Sequence, residues 1–176
     1  MPTPLHKKST NQAIKERFDN DVERFSSLET GQQTVIDARL ILDLISTLSV
    51  SVVPHAENLL DIGCGAGNNT IRIVREQAER GNPKLNCDLI DLSNPMLERA
   101  KARLADEQAG GVRAIQGDFR TAELPHGHYD IIVAAAVLHH LRGDDDWHNG
   151  ISTIYSLLKP NGALFVSDMF IHSDDK

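Results

Sequence analysis

The chain has 176 residues, of which 40% are hydrophobic and 24% charged, and its formal net charge is −7. That length is enough for one domain with a real core, and the acidic balance argues against nonspecific attraction to nucleic acid or to an anionic membrane. Its cysteines, Cys64 and Cys87, form neither a disulfide framework nor a zinc signature. The sequence has no apolar run of the roughly 18 residues that a transmembrane helix needs and no signal-peptide stretch. A soluble cytoplasmic protein is therefore expected.

The N-terminal part of the chain has helical periodicity. Apolar residues recur every three or four positions from Ile14 to Leu28, which predicts a helix over 11–28. A second apolar stripe predicts a helix over 33–48. A connector that contains Pro54 follows.

From residue 58 onward, short apolar runs alternate with helical patterns. The predicted strands are 58–62, 85–91, 112–116, 129–134 and 163–168, and two of the predicted helices are 69–80 and 146–158. A further helix is predicted after Ser93, which can cap it, with Pro95 in its first turn and Met96, Leu97, Ala100 and Leu104 on its inner face. The segment Lys159-Pro160-Asn161-Gly162 is interpreted as a turn before the last strand. Alternating strands and helices predict βαβ units with right-handed crossovers, and therefore an α/β fold with a doubly wound, mostly parallel sheet.

A glycine-rich loop, Gly63-Cys64-Gly65-Ala66-Gly67, follows the first predicted strand and opens a helix. Ligands of open α/β sheets bind beyond the carboxyl ends of the strands, and N–H groups at a helix start can meet a polar or anionic group. The loop has no P-loop lysine, and Asn68 stands where the dinucleotide fingerprint needs its third glycine. A tight turn without any ligand stays open as the alternative.

The run Asp-Ile-Gly-Cys-Gly-Ala-Gly from Asp61 to Gly67 resembles the first motif of the class I S-adenosylmethionine-dependent methyltransferases. Further matches follow in the family's order: Asp91 closing the second strand, Gly117-Asp118-Phe119 after the third, the fourth strand with its exit through His139-His140-Leu141, and Leu157 to Leu164 before the fifth. The resemblance covers roughly residues 35–170. It implies a Rossmann-like fold, S-adenosylmethionine as cofactor, S-adenosylhomocysteine as product and a small-molecule acceptor.

The resemblance also implies a role for each matched position. Asp91 would accept hydrogen bonds from both ribose hydroxyls, a specific charge-assisted contact, and Asp118 would accept one from the adenine amino group. Asp61 and the loop backbone would hold the methionine end, although a loop-orienting role for Asp61 and a turn or cap role for Asp118 remain alternatives. The expected cofactor-binding residues are Asp61, Gly63, Cys64, Gly65, Gly67, Asp91, Leu92, Asp118, Phe119, Ala134 and Ala135.

Catalysis by such a protein requires no particular side chain, because the sulfonium makes the methyl group electrophilic by itself. Transfer is expected by in-line displacement, with the protein supplying alignment and desolvation and in some cases a base. His139 and His140, at the exit of the fourth strand, are the candidates for that base. No metal is expected. The run of acidic residues that ends at Asp146 is interpreted as a solvated loop whose last residue caps the next helix, and Cys64 lacks the positive neighbour that would activate a thiol.

The resemblance divides the chain into a helical extension over 1–55, expected to lie as a lid over cofactor and acceptor, and an S-adenosylmethionine-binding domain over 56–176. The family's fold normally continues with a helix and strands 6 and 7, which we expect to be missing here. An exposed fifth strand would then favour a homodimer. The alternative function is a non-catalytic cofactor-binding module or a fragment of a methyltransferase. An NAD-linked dehydrogenase is disfavoured by Asn68.

Overall fold

A computed structural model describes residues 8–26, 38–82, 84–107 and 109–169. The helices are α1 (Asn11–Asn20), α2 (Val22–Ser26), α3 (Ala38–Val52), α4 (Asn68–Glu79), α5 (Asn94–Leu104) and α6 (Asp144–Leu157), with a short 3-10 helix at Leu138–His140. The strands are β1 (Asn58–Ile62), β2 (Asn86–Asp91), β3 (Val112–Gln116), β4 (Tyr129–Ala135) and β5 (Leu158–Ser167). None of the helices in these described stretches has the length and apolar character needed to span a bilayer.

The strands form one parallel sheet with the order β3-β2-β1-β4-β5. The order reverses between β1 and β4, because the chain first winds outward through β2 and β3 and then returns to the other side of β1. A crevice forms at the carboxyl ends of the strands where the winding reverses, and this is where ligands bind in such folds. The prediction of a doubly wound parallel sheet is confirmed.

The core consists of an apolar cluster on each face of the sheet. Leu59 of β1 packs in the cluster that α3, α4 and α5 cover, whereas Leu60 packs in the cluster that α6 covers. Successive strand residues point to opposite faces, so a strand that is covered on both sides has to be apolar throughout. Each such fully buried leucine contributes about 1.5–3 kcal/mol of hydrophobic stabilisation.

The predicted helix over 11–28 is broken in two. Thr10 caps α1 by accepting a hydrogen bond from Ala13 N–H at 3.2 Å. The helix ends where Asp21 N–H donates to the carbonyl of Phe18, and α2 begins at the next residue. Periodicity missed this break because the apolar stripe runs on through it. The predicted end of the helix, at Leu28, lies outside the described residues.

The apolar stripe of the second helix is buried only in part. Ile45 lies in the core, but Leu40 is 57% exposed, and α3 also buries Ser46 and Ser49. Both serine hydroxyls donate to carbonyls of their own helix at 2.9–3.0 Å, so their burial leaves no polar group unpaired. The helix is apolar around most of its circumference, and periodicity could not select the face. It runs to Val52, and the predicted start at 33–37 falls outside the described residues.

Two expectations for the C-terminal part are corrected. Helix α6 begins at Asp144 after Gly143 with no side-chain cap, so Asp146 does not cap it. The predicted turn Lys159–Gly162 lies inside β5, which absorbs the extra residues as an irregularity in its pairing with β4. The remaining helix and strand ends differ from the prediction by about one residue, within the usual uncertainty of such boundaries.

Candidate cofactor site

The glycine-rich loop is fixed against the end of the neighbouring strand. The backbone N–H groups of Gly63 and Cys64 both donate to the carbonyl of Ile90, at 2.8 and 3.2 Å. Gly63 has φ +65°, and a Cβ placed on it would lie 2.5 Å from Val137 Cγ2. Gly67, also left-handed with φ 79°, is the N-cap of α4. The loop therefore turns directly from β1 into the helix start, with its backbone close to the chain that leaves β4.

Asp91, the last residue of β2, is oriented by backbone donors. Its Oδ2 accepts from Gly65 N–H and its Oδ1 accepts from Ser93 N–H, both at 2.9 Å. Burial raises the pKa of this carboxyl group above its usual value. Each carboxylate oxygen has further acceptor capacity beyond one hydrogen bond. The carboxylate also lines the cavity described below, so it can accept two more hydrogen bonds from a ligand there.

Asp118 lies after β3 and is already engaged. Its Oδ1 accepts from Arg120 N–H at 3.0 Å, and the Arg120 guanidinium and the Asn11 amide also bond to the carboxylate. Burial alone would raise the pKa of Asp118, but the hydrogen bonds and charge of Arg120 hold it below its usual value. Asp118 is thus a turn carboxylate that also lines the cavity. The structure therefore contains the turn role that was the alternative for Asp118.

A cavity of about 530 Å³ lies at the carboxyl ends of the strands, a volume typical of small-molecule and cofactor sites. Of the residues expected at the cofactor, it is lined by Gly63, Cys64, Gly65, Asp91, Leu92, Asp118, Phe119 and Ala135, and also by His139 and His140. Three expected residues are not in its lining, namely Asp61, Gly67 and Ala134. Ala134 is completely buried, and the lining continues instead through Ala135 and the residues after it.

Asp61 is buried behind the loop. Its Oδ2 accepts a hydrogen bond from Thr70 Oγ1 at 2.6 Å, which ties β1 to the first turn of α4. Burial raises the pKa of Asp61 to about 7. The loop-orienting alternative for this residue therefore has a concrete partner in Thr70, which meets the carboxyl group through its hydroxyl and through its backbone N–H.

The other candidate groups differ in their chemistry. Burial raises the pKa of the Cys64 thiol, which keeps it protonated and unreactive. Burial lowers the pKa of His140 to about 4, and its Nε2 is buried without a partner. Nδ1 of His139 lies 2.6 Å from Oδ1 of Asp168. No cluster of three or more metal-ligating side chains is found within the ranges that the structure describes.

Sequence reasoning missed several residues around the cavity. Asp168 follows β5 much as Asp91 ends β2, and that position at a strand end was the available signal. Asn69, in the first turn of α4, lines the cavity with an amide oxygen that is buried and has no partner. Asn11 also reaches the lining. The expected lid placed the N-terminal helix near the site, but nothing in the local sequence singles out Asn11, because its partner Asp118 is brought to it by tertiary packing.

Helix α1 is attached to the loops that follow three different strands. Asn11 donates to Asp118 after β3 at 3.0 Å, and Asp19 accepts from the hydroxyl of Ser93 after β2 at 2.6 Å. Lys8, just before the helix, donates to the carbonyl of Leu141 after β4 at 2.6 Å. The helix thus crosses the carboxyl edge of the sheet and forms one wall of the cavity.

An open α/β sheet with a glycine loop at its reversal point and an acidic residue ending the second strand defines a Rossmann-like, nucleotide-cofactor-binding protein. The family described as "methyltransferase domain" matches residues 60–164. An uncharacterized methyltransferase of Mycobacterium tuberculosis is 33% identical over 108 residues, which are 61% of this chain and 48% of that protein. A malonyl-(acyl-carrier protein) O-methyltransferase of Priestia megaterium is 28% identical over 156 residues, 89% of this chain and 51% of that protein.

Among solved structures, the N-methyltransferase NodS of Bradyrhizobium japonicum in complex with S-adenosylhomocysteine has a TM-score of 0.67 at 21% identity, over 85% of this chain and 71% of that one. The chain belongs to the class I S-adenosylmethionine-dependent methyltransferases, and its cofactor is S-adenosylmethionine. It spans about half the length of the curated relatives it matches.

Proposed function

We propose that the chain binds S-adenosylmethionine in the 530 Å³ cavity and transfers the methyl group to a small-molecule acceptor by in-line displacement. The observation that carries this proposal is the carboxylate of Asp91. Two backbone N–H groups hold it at the end of β2 and leave each oxygen able to accept one ribose hydroxyl. When bound, the cofactor supplies an electrophilic methyl group on a sulfonium.

The residues around Asp91 suit the remaining parts of the cofactor. Leu92 and Phe119 line the cavity as apolar surfaces for the adenine ring. The unpartnered amide oxygen of Asn69 suits the cationic amino group of the cofactor. The loop backbone suits its carboxylate, and Ala135 lines the cavity on the side towards the sulfur. The assignment of Asp118 to the adenine amino group requires a shift of Asn11, because that amide occupies Asp118 Oδ2.

We assign the segment over 1–55 to a lid and the segment over 56–176 to the cofactor-binding domain. Support comes from α1, whose Ile14 and Phe18 line the cavity while its polar side chains hold the loops after β2 and β3. Hydrogen exchange of the α1 amides is expected to slow when S-adenosylhomocysteine binds, since the bound ligand would keep the lid closed. Unchanged exchange would contradict a lid.

Calorimetric titration with S-adenosylhomocysteine tests the cofactor half of the proposal, and isotopically labelled S-adenosylmethionine with hydroxyl, amine and thiol acceptors tests transfer. Binding with transfer supports the proposal. Binding without transfer to any class of acceptor favours the alternative, a non-catalytic cofactor-binding module. Heat on titration with a nicotinamide cofactor and none with S-adenosylhomocysteine would overturn both.

Two further expectations remain predictions. A homodimer through β5 is compatible with an outer strand edge that pairs with nothing in the described ranges, and sedimentation velocity would distinguish it from a monomer. A cytoplasmic location, expected from the sequence, is testable by cell fractionation.

Binding of S-adenosylhomocysteine is expected to release a proton from Asp61. Its pKa of about 7 means that the buried carboxyl is largely protonated near pH 6 in the free protein, and a cationic amino group nearby favours the ionised form. Calorimetry at about pH 6 in two buffers of different ionisation enthalpy should show release approaching one proton per ligand, falling towards none well above pH 7.

Asp61→Asn provides the control, because the variant has no proton to release. Since the folded-state pKa of Asp61 is raised, its contribution to stability is full below the unfolded pKa near 4 and is lost as the pH rises through about 7. The asparagine variant should lack this decline in thermal unfolding of the free protein. If Asp61 only holds Thr70, the enthalpy of binding measured with the wild-type protein will be the same in both buffers.

A further inference from the structure

The pair formed by His139 and Asp168 lies in the wall of the same cavity. Asp168 follows β5, and both of its carboxylate oxygens meet His139: Oδ2 accepts the backbone N–H at 3.0 Å and Oδ1 lies 2.6 Å from the ring Nδ1. The side chain of Asp168 is fully buried, whereas that of His139 is 28% exposed. Asp168 therefore holds the Nδ1 edge of the ring, and the opposite edge is open.

The contact with Asp168 determines which nitrogen of the His139 ring carries the proton. Burial opposes the charge of Asp168, but hydrogen bonds from His139 and from Met169 N–H prevail and hold its pKa below the usual value. An ionised carboxylate can only accept, so Nδ1 of the neutral ring is the protonated nitrogen and Nε2 carries the free lone pair. In the ranges that the structure describes, no protein group bonds to that Nε2.

His140 does not share this arrangement. Its ring packs against His139 at 4.0 Å and against Phe18 at 6.4 Å between centroids. Burial is the main cause that lowers the pKa of His140 to about 4, and the cations Arg17 and Lys8 act in the same direction, although Asp168 opposes this. A ring that resists protonation so strongly is a poor acceptor of a proton, so the two adjacent histidines have different roles.

Building on the proposed function, we propose that His139 is the general base for an acceptor hydroxyl group and that Asp168 is its positioning residue. The surroundings favour a hydroxyl on an apolar body. The cavity wall next to the pair is formed by Leu141 and Met169, and Arg17 lines the same cavity. A cation at this site stabilises a developing oxyanion and repels an ammonium.

The methyl transfer and the proton transfer need no reactant besides the acceptor and S-adenosylmethionine. The acceptor hydroxyl gives its proton to Nε2 of His139 while its oxygen forms a bond to the methyl carbon. The carbon–sulfur bond breaks, and its electron pair stays on the sulfur. The imidazolium that forms is stabilised by Asp168, and it returns its proton to solvent through the exposed edge of the ring.

A matched pair of probes separates base catalysis from a structural role. 4-Methylphenol needs deprotonation, whereas 4-methylthiophenol is largely ionised in mildly alkaline buffer. His139→Asn keeps a donor towards Asp168 but has no counterpart of Nε2. We expect it to lower kcat/KM for the phenol by about 100-fold or more and for the thiol by less than about threefold, with unchanged affinity for S-adenosylhomocysteine. His148→Asn, an exposed histidine of α6, should change neither reaction.

The pH profile and the tautomer give independent measurements. For the phenol, the wild-type kcat/KM should reach a plateau with rising pH, while that of His139→Asn should keep rising with ionisation of the phenol itself. Nitrogen-15 NMR of the wild-type complex with S-adenosylhomocysteine should show a neutral His139 ring protonated on Nδ1. Asp168→Asn should lose that preference and most of the phenol activity while retaining thiol activity.

Several outcomes would overturn the inference. Equal losses on phenol and thiol in His139→Asn mean that the pair only ties the chain after β4 to the end of β5. If the neutral His139 ring carries its proton on Nε2, that nitrogen cannot accept the proton of the hydroxyl group, and His139 is not the base. Wild-type protein that binds S-adenosylhomocysteine but does not methylate 4-methylphenol refutes the hydroxyl acceptor while leaving cofactor binding intact, and failure to bind S-adenosylhomocysteine refutes the proposed function itself.

Discussion

Asp91→Ala is expected to weaken binding of S-adenosylhomocysteine by about 100-fold or more, which corresponds to about 2.7 kcal/mol. The carboxylate is positioned to accept two hydrogen bonds from ribose hydroxyls, and hydrogen bonds to a charged group are worth about 1.5–3 kcal/mol each. Water that enters the truncated site recovers part of the loss. Isothermal titration calorimetry of the wild-type and variant proteins measures the ratio of dissociation constants.

Folding of the Asp91 variant should be affected much less than binding. The pKa of Asp91 is raised because its charge is buried, so the ionised side chain is not itself a source of stability. Its removal leaves the N–H groups of Gly65 and Ser93 to be satisfied by water that enters from the cavity. Asp106→Ala, the same change at an exposed position after α5, is the matched control and should bind normally. Equal affinities of the two variants would refute the ribose role.

Gly63→Ala is expected to destabilise the protein by about 2–5 kcal/mol, through two effects. A non-glycine residue in the left-handed region costs about 1–2 kcal/mol, and φ at Gly63 is +65°. The new Cβ would also lie 2.5 Å from Cγ2 and 2.8 Å from Cβ of Val137. Because the near atoms include the branch point of the valine, relief requires backbone movement, and such overpacking costs about 1–3 kcal/mol.

Differential scanning calorimetry should show this loss as a fall in Tm of about 4–20 °C, given about 2–4 °C per kcal/mol at this chain length. Gly65→Ala is the matched control. Gly65 has φ +52° but no atom within 4 Å of its Cβ position, so only the backbone cost of about 1–2 kcal/mol applies. If the two variants have the same Tm, the close approach of residue 63 to Val137 does not affect stability.

The loop and Asp91 could be predicted from sequence because their signal is local. A strand that runs directly into glycines and then a helix leaves few conformations, and a carboxylate that ends the adjacent strand must lie near that turn. The capping residue of α5 was equally readable: the hydroxyl of Ser93 accepts from Met96 N–H at 3.4 Å, as expected of a serine before Pro95. These features depend on backbone geometry over a few residues.

The errors arose where a local pattern admitted several answers. Helix α3 is apolar on most sides, so its buried face was chosen by packing against α4 and not by its own periodicity. Asp146 resembled a helix cap, but it pairs with Arg120 at 2.7 Å and accepts from Arg142 N–H at 3.1 Å. The charge of Arg120, supplied by the loop after β3, decides where that carboxylate points.

The amino-acid sequence by itself determined the class of this protein. Its order of strands, glycine loop and strand-ending acids predicted a doubly wound sheet that binds S-adenosylmethionine, because each of those signals lies within one strand–turn–helix unit. The tertiary structure alone decided what surrounds the reacting end of the site. His139 meets Asp168 across 29 residues and Asn11 meets Asp118 across 107. Such pairs are selected by the register of β4 beside β5 and by the docking of α1, which no local pattern encodes.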